Sequence, residues 1–334
     1  MRVCQLVSSY QLSTSPFRDI DPYPDAGPWL PEHRWTTRLV DKATAAATVD
    51  EVVAQGFDVF VNLCDGEPGE DLAGIEVVER LQWHGVPFTG PDTRVYRLGS
   101  SRSTQKQACL LAGIDTPAHV FLDGELPPPD HLRPPLIVKP PNGYASVGID
   151  RNSRVTTRPE LEAACARTLA RFGGVLVEEF IEGREFTVLT AEPPGPGEPP
   201  LVFPPLEILF PPGETYKHFD LKWQEYTQMA SRPVADPQLH AALQRLVQRL
   251  MVAIDGVGCC RCDIRMDSAG RLYLLDCNVS PGLFLPDGAY GSADLILSNV
   301  PNGHRRLLQH MIACALRRAS THAGPRSAST STPS

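Results

Sequence analysis

Three short segments of the 334-residue chain carry side chains suited to chemistry. In the last third, Arg261-Cys262-Asp263 and Asp276-Cys277-Asn278 flank a turn-forming Asp267-Ser268-Ala269-Gly270. If the flanks are the strands of a hairpin, residues two apart share a face. Arg261 and Asp263 can then face the same way as Asp276 and Asn278. Two carboxylates and an amide oxygen suit a hard cation, above all Mg²⁺ held together with nucleotide phosphates. The competing reading is a hairpin of solvated charges. Ile264, Leu272, Leu274 and Leu275 favour a buried hairpin, in which carboxylates need partners. The second segment runs Lys139-Pro140-Pro141-Asn142-Gly143-Tyr144-Ala145-Ser146-Val147-Gly148-Ile149. A lysine at a strand end before a Ser- and Gly-containing turn can surround a phosphate with an ammonium and backbone N–H groups. The spelling is not that of a P-loop, and an ordinary turn fits it too. The third is Glu178-Glu179-Phe180-Ile181-Glu182-Gly183-Arg184-Glu185. Its acids are either a surface turn or acceptors for an adenine amino group, with Glu185 on ribose hydroxyls. Cys259, Cys260, Cys262 and Cys277 lack the spacing of a zinc site, and successive strand residues point apart, so they read as small core residues. The histidines are scattered, and nothing marks one as a ligand.

Strands and helices alternate over residues 1–93. Strands are expected at 2–7, 58–63 and 86–90, with helices at 42–55 and 71–84 that stop at Gly56 and Gly85. That order implies a parallel sheet with helices on its faces. Beyond it the expected helices are 103–112, 160–171, 239–254 and 305–318. The expected strands are 135–140, 175–181, 185–191, 201–210, 260–266 and 271–277. The chain's 33 prolines cluster at 127–129, 134–135 and 193–200, which must be connections. Residues 319–334, almost all Ser, Thr, Ala, Pro and Gly, read as a disordered tail.

Composition narrows the function. Hydrophobic residues make up 42%, enough for a real core. With 31 basic against 39 acidic residues the net charge is −8, and no long basic run is present to grip nucleic acid. No apolar stretch approaches the roughly 20 residues of a membrane span. The start lacks the long apolar region of a signal peptide, and nine cysteines suggest reduced thiols, so a cytoplasmic location is expected.

Taken in order and spacing, these segments resemble the ATP-grasp superfamily, most closely its D-alanine–D-alanine ligase branch. The resemblance covers residues 57–282 and rests on Gly69-Glu70-Asp71, Ala112-Gly113-Ile114, 137–148, 175–188 and 261–282. It implies an α/β protein (α+β in the ATP-grasp part) of three-domain architecture. An N-terminal parallel-sheet domain (1–93) precedes central (94–181) and C-terminal (182–318) ATP-grasp subdomains, with ATP between the sheets of the last two. The resemblance puts Lys139 on the α/β-phosphates and Lys222 on the γ-phosphate. Glu178, Phe180 and Ile181 fall beside the base, and Glu185 on the ribose. Asp263, Asp276 and Asn278 fall on the Mg²⁺ ligands, with Mn²⁺ as an alternative. Arg261 and the Gly282 backbone N–H fall on the oxyanion-stabilising groups, and Ser146 is counted with them as catalytic. The implied reaction joins a small carboxylate to an amine through an acyl phosphate, giving ADP and phosphate. The partners are those small molecules, without nucleic acid or membrane, and a homodimer is left open.

Several positions depart from the family. Its first strand ends in a glycine-rich turn and a glutamate holding the first substrate's amino group; here the chain reads Val7-Ser8-Ser9-Tyr10-Gln11-Leu12-Ser13. A loop serine and a lid tyrosine linked to that glutamate correspond to Ala145 and Trp223. Asp287 stands where a serine helps bind the second substrate's carboxylate. Arg102 replaces an ATP-binding lysine, with Lys106 one turn on, and Asp276 replaces a glutamate. Loss of a linked network argues for a first substrate other than D-alanine. The alternatives are another acceptor, or a non-catalytic nucleotide binder, against which the lysines, metal ligands and Arg261 speak.

Overall fold

The computed structural model describes residues 1–322 except 16, 68, 125–130, 144, 145 and 224–227. Its first sheet contains β1 (Arg2–Ser8), β2 (Arg34–Val40) and β3 (Val59–Leu63) in the order β2-β1-β3, all parallel. Every residue of β1 after Arg2 is buried, as a strand covered on both faces requires. One face is covered by α1 (Ala45–Ala54) and α2 (Ile75–His84), through Val49, Val52, Val77, Val78 and Leu81. The α2 helix begins four residues later than its periodicity suggests. Gly66 donates its N–H to the Ala73 carbonyl (3.0 Å), and Gly74 lies so close that a Cβ would sit 1.9 Å from the Gly66 carbonyl oxygen. Residues 86–90 contribute only an isolated bridge from Phe88 to Phe60.

Two short helices follow, α3 (Thr93–Gly99) and α4 (Arg102–Leu111). The second sheet consists of β4 (His119–Leu122), β5 (Leu136–Lys139), β6 (Arg154–Val155) and β7 (Val175–Glu179), antiparallel in the order β4-β7-β5-β6. It is backed by α5 (Arg158–Phe172), which Thr157 and Glu160 start with reciprocal capping bonds.

The third sheet holds β8 (Arg184–Ala191), β9 (Leu201–Val202), β10 (Leu206–Leu209), β11 (Ala230–Pro233), β12 (Cys259–Met266) and β13 (Leu272–Asn278). Its order is β11-β10-β8-β12-β13, with β9 on β8. The single strand expected at 201–210 is two, separated by Pro204-Pro205, which cannot donate to a ladder. The short α6 (Phe219–Trp223) precedes α7 (Pro237–Ala253), whose Leu239, Leu243, Leu246, Val247 and Leu250 pack on Val188, Cys260, Cys262, Ile264 and Leu274. Alternation along β12 therefore turns Arg261, Asp263 and Arg265 to the opposite face, toward the second sheet. The α8 (Ser292–Ser298) and α9 (Gly303–His322) helices close the other side, and α9 also covers the free face of the first sheet through Leu307, Leu308, Met311 and Ile312. The α9 helix continues through residues 319–322, which the composition assigns to the tail; the rest of that tail lies outside the described residues. Among the described residues no helix is long and apolar enough to cross a membrane. All nine cysteines are buried free thiols.

Candidate active site

A cleft of about 900 Å³ opens between the second and third sheets. Lys139, at the end of β5, places its ammonium 2.5 Å from Glu178 Oε2 on β7. Lys106, from α4, contacts the other oxygen of the same carboxylate and also donates to Thr116 Oγ1 (2.6 Å). Glu178 is 1% exposed. Burial alone would raise its pKa, but the two ammonium groups hold it down at about 2. Burial lowers that of Lys139 in spite of this partner. Arg102 turns instead to the glycine loop, donating to the carbonyls of Pro140 (2.8 Å) and Asn142 (3.0 Å). Gln105 accepts from the Cys277 N–H (3.0 Å), so α4 is tied to the third sheet while its lysine reaches the second.

Ile137, Ile149, Phe180 and Tyr216 form a small apolar cluster that lines the cleft. The Phe180 N–H is bonded to the Pro135 carbonyl (2.8 Å) and the Ile181 carbonyl to Arg265 (2.7 Å), so these two backbone groups already have partners. Glu185 is buried between Arg265, whose Nε donates to Oε2 at 3.1 Å, and the Lys217 ammonium, 3.0 Å from Oε1. Lys217 continues to Asp263 Oδ1 (3.5 Å), and Arg261 donates to Asp263 Oδ2 (3.0 Å). Arg265–Glu185–Lys217–Asp263–Arg261 thus form one chain of alternating charge. Burial raises the Asp263 pKa, but Arg261, Lys217 and Lys222 override it and bring it to about 2. Burial, helped by Arg261, pulls Lys222 down to about 7. Ser146 sits at φ +63° and donates to the Lys217 carbonyl (3.0 Å).

Asp263 pairs directly with Asp276, and Arg261 with Asn278, across β12 and β13. The register shift of this hairpin falls just after Asp263, so the four share the face that sequence alternation expects. Among the described residues no three of His, Cys, Asp and Glu converge on a metal position. Two facing carboxylates with an amide nearby nevertheless fit Mg²⁺, which takes one or two carboxylates and completes its shell with phosphate and water. Asn278 Oδ1 accepts the Ser280 N–H (2.9 Å) and keeps a second lone pair.

Gly282 does not line this cleft. It belongs to a neighbouring cavity of about 700 Å³, with Ser8, Tyr10, Asp21, Asn62 and Asp65. Here the sequence reading is incomplete. Residues 7–13 contain no acid, but Asp21 arrives from farther along and accepts a hydrogen bond from the Tyr10 hydroxyl (2.6 Å). Burial, then Asp21, raises the Asp65 pKa to about 7. Trp223 packs on Phe17 (ring centroids 4.6 Å apart) beside Tyr10, Leu72, Val147 and Phe219, a largely aromatic cluster. Ala145 lies outside the described residues. A third cavity, of about 1610 Å³, shares Lys217 and Lys222 with the cleft and Asp21 with the second cavity; Asp287 and Tyr290 also line it. Lys217, Arg265 and Asp21 are the residues that sequence reasoning missed. Their partners come from other segments, and no local spelling marks them.

The family model described as D-ala D-ala ligase C-terminus matches residues 129–285. A D-alanine–D-alanine ligase of Bordetella petrii is 32% identical over 244 residues, 72% of each chain. One from Xanthomonas axonopodis pv. citri is 32% identical over 244 residues, 71% of this chain and 73% of its own. Among solved structures, the Bacillus anthracis enzyme complexed with ATP superposes with a TM-score of 0.69 at 19% identity, covering 96% of this chain and 99% of its own. The chain is therefore an ATP-grasp protein and belongs to the D-alanine–D-alanine ligase family.

Proposed function

We propose that the chain is an ATP-dependent carboxylate–amine ligase acting through an acyl phosphate, on a small amino-acid-like first substrate other than D-alanine. The observation that carries the reaction class is the cleft between two sheets. Its lysines and arginines gather in the same cleft as the facing Asp263 and Asp276, with Lys217 and Arg261 in contact with Asp263. In this reading the apolar cluster takes adenine beside Glu178, Phe180 and Ile181, and Glu185 takes the ribose. Lys139 meets the α/β-phosphates and Lys222 the γ-phosphate. Asp263, Asp276 and Asn278 would hold a divalent metal, Mg²⁺ or Mn²⁺, which supplies charge neutralisation on the phosphates. The substrate carboxylate attacks the γ-phosphorus and ADP leaves. The amine then attacks the acyl carbon and phosphate leaves. In this reading Arg261, from the cleft, and the Gly282 N–H, from the adjoining cavity, would donate to the tetrahedral oxyanion. Water must be kept from an acyl phosphate. Three contacts between the loops over the cleft serve that end: Ser146 with the Lys217 carbonyl, Tyr216 with the Asp150 carbonyl (2.6 Å), and Phe219 N–H with the Ile149 carbonyl (2.9 Å).

The case for a different first substrate is the Phe17–Phe219–Trp223 cluster in place of a polar network. A second reading, D-alanine itself, is favoured by Asp21 and Asp65, which offer an ammonium acceptor, and by the activity that the relatives' names state. The test is ADP release with D-alanine alone against a panel of amino and carboxylic acids, with and without added amines. The proposal expects another acid to exceed D-alanine in kcat/KM by at least about tenfold. D-alanine as the best substrate, at about 10⁴ M⁻¹s⁻¹ or more, would overturn it.

A further inference from the structure

The cleft contains a third lysine for which the resemblance assigns no role. Lys217 precedes α6, and its loop is tied to the second sheet through its own carbonyl and through Tyr216 and Phe219. Its ammonium lies between two carboxylates with different tasks, 3.0 Å from Glu185 Oε1 and 3.5 Å from Asp263 Oδ1. The side chain is 13% exposed and borders both the cleft and the third cavity. Asp263 faces Asp276 across the hairpin, and two carboxylates on one face repel each other unless a cation intervenes.

We propose that Lys217 is a resident counter-ion that occupies Asp263 in the nucleotide-free protein and is exchanged for the metal, passing to the phosphates when the nucleotide binds. The proposal rests on the assignment of Asp263 and Asp276 as metal ligands. Three observations make the exchange physical. Lys217 approaches the same Asp263 carboxylate that a metal would need, so both cannot hold that oxygen at full strength. Its charge is a compact point on a four-carbon stem, able to pivot where the planar fork of an arginine would be fixed. Glu185 also keeps a bond from Arg265, so release of Lys217 does not strand a buried carboxylate. The consequence is a protein that resists metal without nucleotide and accepts the two together.

The experiment measures Mn²⁺ alone binding to the nucleotide-free protein by electron paramagnetic resonance, and ADP alone binding by calorimetry. Lys217→Met should bind Mn²⁺ at least about fivefold more tightly than the unaltered protein, the value of one charge pair even under water-like screening. It should bind metal-free ADP at least about fivefold more weakly. Lys217→Arg, which keeps the charge but not the pivot, should bind Mn²⁺ no more tightly than the unaltered protein, and an unchanged melting temperature of Lys217→Met guards against a folding defect. Unchanged or weaker Mn²⁺ binding by Lys217→Met would overturn the proposal, and so would undiminished ADP binding. Asp276→Asn separates the two levels of the argument. If it leaves Mn²⁺ binding intact, the metal assignment itself fails. If it abolishes Mn²⁺ binding while Lys217→Met does not strengthen it, only the role of Lys217 fails.

Discussion

Replacing Glu178 by Gln should cost about 3 kcal/mol of stability at pH 7. The carboxylate is 1% exposed and lies between the buried ammonium groups of Lys106 and Lys139. Its pKa falls from the ordinary 4.5 to about 2. At about 1.4 kcal/mol per tenfold change in proton affinity, the charged form gains about 3 kcal/mol in the native state. The sign follows from the depressed value: the contribution is complete above pH 4.5 and is lost as pH falls toward 2. Glutamine keeps the shape but leaves two like charges facing each other out of water, a loss that elsewhere runs to about 3–5 kcal/mol. Urea unfolding with linear extrapolation, supported by a melting temperature lowered by roughly 4 °C, measures it. The gap between variant and unaltered protein should close as pH approaches 2. A loss under about 1 kcal/mol at pH 7 would refute the reasoning, as would a gap that persists undiminished in acid.

Two further outcomes follow from the site. Asp276→Ala should cut turnover by at least about a hundredfold at ordinary Mg²⁺, because phosphate charge is no longer neutralised; full activity in a steady-state assay would contradict the metal assignment. Asp65, raised to about 7 by burial and then by Asp21, favours its protonated form in the native state, so its contribution is lost as pH rises through 7. Asp65→Asn should therefore raise the melting temperature more at pH 8 than at pH 5, and the opposite order would show that the carboxylate is stabilised as an anion.

The hairpin of β12 and β13 was legible because its two faces differ in chemistry. Cys260, Cys262 and Ile264 alternate with Arg261, Asp263 and Arg265, so period two alone separates core from cleft. The parallel first sheet was legible from its alternation with helices. Its edge strand β2 was not, since Arg34, Thr36 and Thr37 are exposed and give no buried alternation to read. Nor was α3, a short helix set by the Asp92 cap rather than by a long apolar period. The start of α2 was misplaced because the close backbone contact of Gly66 with Gly74 overrode the periodicity of residues 71–84. The same limit applies in the site. Glu178 could be singled out beside its strand, but its two lysines come from β5 and α4. Lys217 meets Asp263 across 46 residues, and Asp21 joins Asp65 from an irregular proline-containing stretch. Spacing reveals what one element presents, and not what two elements bring together.

The most direct test of the account follows oxygen from substrate to product. The protein is incubated with ATP, Mg²⁺, amine acceptors and a pooled panel of amino acids carrying ¹⁸O in their carboxylates, and the released phosphate is examined by ³¹P NMR. A carboxylate that attacks the γ-phosphorus must leave one of its oxygens on the phosphate. The expected products are ADP and ¹⁸O-labelled inorganic phosphate, formed only when the labelled acids are present. AMP and pyrophosphate, or ADP with phosphate that carries no label, would contradict it.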